Sequence, residues 1–138
     1  MFGKGVNKKR EEAYRELLRP LNLGLEDKLH VKVGALSGGQ RQAMSLLMST
    51  MTPLDFLILD EPTRGIDVGA KYDIYCLINK MVEDGKSVIM ISSEMPELLG
   101  MCDRIYVMSE GRLAGEFTAE EATQERIMAS IMQEQNKK

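Results

Sequence analysis

The stretch Phe56-Leu57-Ile58-Leu59-Asp60-Glu61-Pro62 decides the fold of this chain. Four apolar residues run directly into two carboxylates and a proline. A short continuous apolar run that ends in turn residues is typical of a strand buried on both faces of a parallel sheet. We therefore expect a buried parallel strand over 56–59, with Asp60 and Glu61 at its carboxyl end.

The sequence after this strand alternates between helix and strand patterns. Residues 67–82 carry apolar side chains on one helical face, and Gly85 follows as a stop signal. Residues 87–91 predict a second strand, and a short helix is expected around 96–101. Strand, helix, strand, helix is the order of a parallel sheet with right-handed crossovers. The predicted fold class is α/β, with a mostly parallel sheet and flanking helices.

Both ends of the chain add further elements. Residues 8–18 have helical spacing and stop before Pro20. Residues 104–108 and 112–117 flank a Ser-Glu-Gly turn, which predicts a C-terminal β-hairpin, and residues 119–132 predict a last helix.

Composition excludes several classes of protein. The 138 residues are 43% apolar and 28% charged, which is typical of one soluble globular domain or a large piece of one. A net charge of −3 and scattered Lys and Arg residues argue against a nucleic-acid partner. No apolar run approaches the roughly 18 residues of a membrane span. Cys76 and Cys102 have neither disulfide nor zinc spacing, and we expect them to be buried or incidental packing residues.

The acidic pair, Asp60 and Glu61, suits nucleotide hydrolysis. One carboxylate can hold Mg²⁺ directly or through water while its neighbour orients or deprotonates an attacking water. Taken alone, the pair means little, because strands often end in solvated acidic residues.

A second candidate site is the glycine turn, Ser37–Gln40, which opens a helix that we expect to stop at Thr52-Pro53. Exposed backbone N–H groups, a hydroxyl and the positive end of a helix dipole together make an anion site. The alternative is an ordinary helix N-cap, with Ser37 as the capping residue.

Three motifs in order give the chain a family resemblance. Leu36-Ser37-Gly38-Gly39-Gln40, then about twenty residues later Leu57–Thr63, then Gly65-Ile66-Asp67 resemble the signature motif, Walker B strand and D-loop of ABC ATPases. From Leu57 onward the chain looks like the second cassette of bacterial sugar importers of the ribose and galactose type. The resemblance runs from about Glu11 to Phe117.

The resemblance implies a part of a P-loop NTPase cassette. Residues 1–138 would form a partial ABC ATPase domain, with a helical signature region at about 8–52 and a Walker B and C-terminal lobe at about 53–138. It also implies site roles: Asp60 contacts magnesium, Glu61 polarises the water, and Asp67 couples the two sites of a dimer. Four residues would touch the γ-phosphate of ATP held by the opposite cassette: Ser37, Gly38, Gly39 and Gln40.

Two departures from the family pattern bear on activity. Ser93 stands where most ABC ATPases place a histidine that contacts the γ-phosphate, although sugar-importer second cassettes share this serine. No G-x-x-x-x-G-K-[ST] loop occurs in the sequence, and Met1–Gly5 does not supply it. We therefore expect the chain alone to bind and hydrolyse ATP poorly, and an apolar strand edge and face to lack a partner.

The resemblance also implies a setting. ATP and Mg²⁺ would be cofactors only if the missing Walker A lobe or a partner cassette were present. The partners would be a second cassette and transmembrane permease subunits. The protein would be cytoplasmic, at the inner face of the membrane through the permease, and would energise import of a sugar or another solute. A non-catalytic regulatory module and a truncated or composite fragment, joined near 57–62, are the alternatives.

Overall fold

The computed structural model describes residues 8–51 and 53–136, so the predictions for Met1–Gly5 and Thr52 lie outside it. It divides into two compact units, one ending at Ile89 and one beginning at Met90, which are described separately. The elements in chain order are α1 (Lys8–Leu18), α2 (Gly38–Thr50), β1 (Phe56–Asp60), α3 (Val68–Glu83), β2 (Ser87–Ile91), α4 (Met95–Met101), β3 (Arg104–Ser109), β4 (Arg112–Thr118) and α5 (Gln124–Gln135).

In the first unit, α1 and the connector behind it form a small apolar core. Pro20 lies in the first turn of a 3-10 helix, Arg19–Leu21, that directly follows α1. Proline fits the first turn of a helix but cannot continue one. Leu18, Leu25 and Leu36 are buried together, and apolar residues of α2 pack against them. This core therefore fixes the position of the segment that leads into the glycine turn.

Helix α3 follows β1 and supplies most of the remaining core of the first unit. It is capped by Asp67 and followed by Gly85, whose φ of +85° suits glycine. Strands β1 and β2 are neighbours in a two-stranded sheet, and the Ser87 amide donates to the Asp55 carbonyl at 2.9 Å. The buried residues of α3 are Ile74, Leu77, Ile78 and Met81.

The prediction of a fully buried β1 was wrong. Leu59 is only 7% exposed, but Phe56 and Ile58 are 48% and 58% exposed. Ile89 of the neighbouring strand is 49% exposed as well. Successive side chains of a strand point to opposite faces, and the described residues cover only one of the two faces of β1. Within the described residues, Phe56 and Ile58 form an exposed apolar face on β1.

The second unit is a hairpin with a helix packed against it. Strands β3 and β4 pair antiparallel, and Ile105 and Val107 are buried against Ile127 of α5. The predicted β-hairpin is confirmed. The last helix begins at Gln124, not at residue 119, because the Thr123 hydroxyl caps it by accepting the Arg126 amide at 3.2 Å.

Two expectations concern cysteines and membranes. Cys76 is exposed and Cys102 is partly buried, so the expectation of burial was wrong for Cys76. No helix within residues 8–51 and 53–136 is long and apolar enough to cross a membrane.

Candidate functional site

The acidic pair lies where the sequence placed it, at the carboxyl end of β1. Asp60 is the last residue of the strand and is exposed, and Glu61 is half-buried. The chain turns at once, because the Arg64 amide donates to the Glu61 carbonyl at 3.2 Å. Thr63, inside this turn, is only 1% exposed. The backbone of Glu61 is thus held by a strand on one side and a buried turn on the other.

The backbone of Glu61 is strained. Its φ is +48°, in the left-handed region that residues with a Cβ avoid at a cost of about 1–2 kcal/mol. Strained backbone of this kind persists only where the surroundings over-determine it, and it concentrates at functional sites. Sequence reasoning missed this strain, because glutamate is not a residue that marks left-handed turns.

The glycine turn opens α2 with a complete capping box. The Ser37 hydroxyl accepts the Gln40 amide at 3.2 Å, and Gln40 Oε1 accepts the Ser37 amide at 3.2 Å. Ser37 is therefore the N-cap, as the alternative interpretation held. Capping does not use the amides of Gly38 and Gly39, which lie in the first helical turn, where N–H groups have no partner within the helix.

The Gln40 side chain also holds the connector in front of the turn. Its Nε2 donates to the Leu23 carbonyl at 2.9 Å, and its Oε1 accepts from the Lys28 ammonium at 3.0 Å. Lys28 thereby adds a positive charge beside the amino end of α2, where the helix dipole is also positive. Sequence reasoning missed Lys28, and its spacing from the turn carries no local signal.

Asp67 caps α3 directly after the loop that was predicted as a D-loop, here called the D-loop segment, Gly65–Asp67. Its Oδ1 accepts the Ala70 amide at 3.0 Å. The structure brings this segment to the glycine turn: a β-carbon placed on Gly38 would lie 4.0 Å from the Gly65 carbonyl oxygen. These two predicted site elements are therefore neighbours within the first unit.

Ser93 belongs to the second unit. It is exposed and lies between β2 and α4, in a bend where the Glu94 amide donates to the Ser92 hydroxyl at 3.0 Å.

The acidic pair fits a magnesium ion that is carried by phosphate. Mg²⁺ usually takes one or two protein carboxylates and completes its shell with phosphate oxygens and waters. Asp60 offers one exposed carboxylate of this kind. Within the described residues, no group of three or more His, Cys, Asp or Glu side chains is placed to hold a metal ion.

Comparison with known proteins gives a family match over part of the chain. Residues 5–64, which hold both the glycine turn and the acidic pair, match the family described as ABC transporter. Over 97 residues the chain is 63% identical to the L-arabinose transport ATP-binding protein AraG of Geobacillus stearothermophilus. The chain therefore resembles the ATP-binding subunits of ABC transporters. It is also 58% identical over 110 residues to the xylose import ATP-binding protein XylG of Moorella thermoacetica.

These alignments cover 70% and 75% of the chain but only 19% and 22% of the two relatives. The chain therefore spans about a fifth of the length of the curated relatives it matches.

Solved structures agree on the fold. An ATP-binding cassette of an ABC transporter in its ADP conformation matches with a TM-score of 0.71 at 23% identity, over 96% of this chain and 50% of that chain. A putative metal-chelate type ABC transporter in an inward-facing conformation gives 0.76 at 16% identity, over 96% and 52%. The predicted fold class, α/β and part of a P-loop NTPase cassette, is confirmed.

Proposed function

We propose that this chain is a segment of an ATP-hydrolysing subunit of an ABC importer that carries a sugar. The observation that carries the proposal is the 63% identity to a protein named for L-arabinose transport, over a stretch of 97 residues. The second relative is named for xylose import, which favours a sugar over another solute. A non-sugar solute is the alternative.

The acidic pair would perform the hydrolytic chemistry. A bound Mg²⁺ would neutralise charge on the phosphates, and Asp60 would hold it directly or through water. Glu61 would orient the attacking water and accept its proton. The buried turn that follows Glu61 supports this role, because a catalytic carboxylate must keep its position while the substrate binds.

The glycine turn and Asp67 would act across a dimer. The glycine turn would present its first-turn amides to the γ-phosphate of ATP held by the opposite cassette, since helix amino ends favour anions. Asp67 would belong to the loop that couples the two sites. At this cassette's own site, Ser93 would offer a hydroxyl where most of the family has a histidine that contacts the γ-phosphate, which weakens hydrolysis there.

The proposal includes partners and a location. ATP-binding subunits of ABC importers generally pair with permease subunits, and we propose a permease and a second cassette as the partners of this chain. The chain would then act in the cytoplasm, at the inner face of the membrane.

ATP binding by the 138-residue chain is the first test. The sequence has no G-x-x-x-x-G-K-[ST] loop to cradle the β- and γ-phosphates. We expect weak ATP binding by calorimetry and no measurable Mg²⁺-dependent turnover. A micromolar dissociation constant together with Mg²⁺-dependent hydrolysis that Glu61→Gln abolishes would overturn this expectation.

A graft tests the chemistry of the acidic pair. The chain would replace the matching segment of the L-arabinose transport relative, which it resembles at 63% identity over 97 residues. The folded graft should hydrolyse ATP, and Glu61→Gln should reduce turnover by about 10²–10⁴-fold, the usual contribution of a general base. A folded graft that binds ATP without turnover would instead support the non-catalytic module.

A further inference from the structure

Gly39 lies where α2 and α3 approach each other closely. A β-carbon placed on Gly39 would overlap the Cβ of Ala70 and would lie 3.5 Å from Cγ2 of Ile66. Gly39 is buried and sits within the first turn of α2, so its backbone conformation does not call for glycine. Glycine costs a helix about 1 kcal/mol relative to alanine. The need to leave space for the Ala70 side chain therefore explains why position 39 is a glycine.

The preceding glycine gives a contrast within the same turn. Gly38 is exposed, and the nearest atom to a β-carbon placed on it is the Gly65 carbonyl oxygen, at 4.0 Å. A methyl group would fit there without displacing a neighbour. The two glycines of the turn thus differ: a β-carbon on Gly38 would meet open space, whereas a β-carbon on Gly39 would overlap Ala70.

Ala70 connects this contact to the D-loop segment. Its amide donates to Asp67 Oδ1 at 3.0 Å, and the next amide, of Lys71, donates to the Asp67 carbonyl at 3.0 Å. The residue that touches Gly39 is therefore also the residue that holds the cap of α3. Because protein interiors are close-packed, a displacement on one side of such a contact is felt on the other.

We infer that the contact between Gly39 and Ala70 couples the glycine turn to the D-loop segment within one chain. Gly39 acts as a positioning residue: it lets the turn and the Asp67 cap move as one body. The catalytic meaning of this coupling rests on the proposed function, whereas the mechanical coupling is a property of the first unit alone.

Amide hydrogen exchange on the full 138-residue chain, without nucleotide, tests the coupling. Gly39→Ala should speed exchange of the Ala70 and Lys71 amides by about tenfold or more beyond any change in global unfolding, because overpacking displaces α3. Gly38→Ala is the matched control. It adds the same methyl group in open space and should change those two amides by no more than about twofold.

Ala70→Gly completes the cycle by removing the opposing methyl group. Adding Gly39→Ala to Ala70→Gly should alter exchange by no more than about twofold, because two residues in contact are not additive. If Gly39→Ala has the same effect with and without the Ala70 methyl, the inference is wrong. If the single Gly39→Ala variant does not fold, a folded double variant supports the contact and an unfolded one refutes it.

The outcome is separate from that of the ATPase tests. Exchange in the absence of nucleotide does not depend on hydrolysis, so a failed Glu61→Gln test leaves the coupling standing. A failed exchange test leaves the proposed function standing in turn.

Discussion

Truncating Ile58 should cost much less stability than truncating its neighbour Leu59. Complete burial of such a side chain stabilises a protein by about 1.5–3 kcal/mol. Ile58 is 58% exposed, so Ile58→Ala should lower the free energy of unfolding by about 1 kcal/mol. Leu59 is 7% exposed, and Leu59→Ala also leaves a cavity, so it should cost about 2–5 kcal/mol.

Urea denaturation of the two variants beside the parent chain measures this difference. Both changes place alanine in the same strand, and Ile58→Ala loses more strand propensity than Leu59→Ala because isoleucine is β-branched. A larger cost for Leu59→Ala therefore reflects burial. The chain has two compact units, so a two-state fit of the optical signal does not by itself assign the unfolding transition to β1. Hydrogen exchange of the β1 amides should therefore be measured beside it. Equal costs for the two variants would show that something covers the outer face of β1, against the exposure described above.

Two further outcomes concern local interactions. Asp67→Ala should lower the unfolding free energy by about 0.5–2 kcal/mol, because Asp67 caps α3 through the Ala70 amide, whereas Asp67→Asn keeps the cap. Equal losses in urea denaturation would contradict capping. The hydrogen bond from His30, at 3.1 Å, is the main cause that lowers the pKa of Glu11. A carboxyl with a lowered pKa stabilises the fold above its ordinary pKa, and this contribution is lost as pH falls through the folded pKa. His30→Ala should raise the Glu11 pKa in an NMR titration and leave Glu121, held low by other hydrogen bonds, unchanged. A Glu11 pKa that does not rise in the variant would exclude His30 as the cause.

Local signals in the sequence predicted most of the elements. Helix α1 and strand β2 match their predicted bounds, because the proline at 20 and the glycine at 85 are strong stop signals. The start of α5 was missed because several polar residues before it could cap a helix. The structure chooses Thr123, since the segment from Thr118 to Ala122 forms its own backbone turn.

Burial and close contacts depend on distant parts of the chain, and the sequence patterns did not predict them. The apolar run of β1 has the same sequence whether one or both faces of the strand are covered, so the sequence does not distinguish the two cases. The contact of Gly39 with Ala70 and the bond from Lys28 to Gln40 join residues 31 and 12 positions apart. No periodicity or spacing rule reports such pairs, although each shapes the candidate site.

The left-handed backbone at Glu61 predicts how position 61 would respond to selection. Glycine or asparagine would relieve the strain of about 1–2 kcal/mol that a glutamate carries there. A lineage selected for stability alone would therefore lose the glutamate early. A lineage in which the carboxylate does chemistry would keep it against that pressure. In laboratory evolution of the chain, selection for stability alone should replace Glu61 early, whereas selection for ATP turnover should retain it.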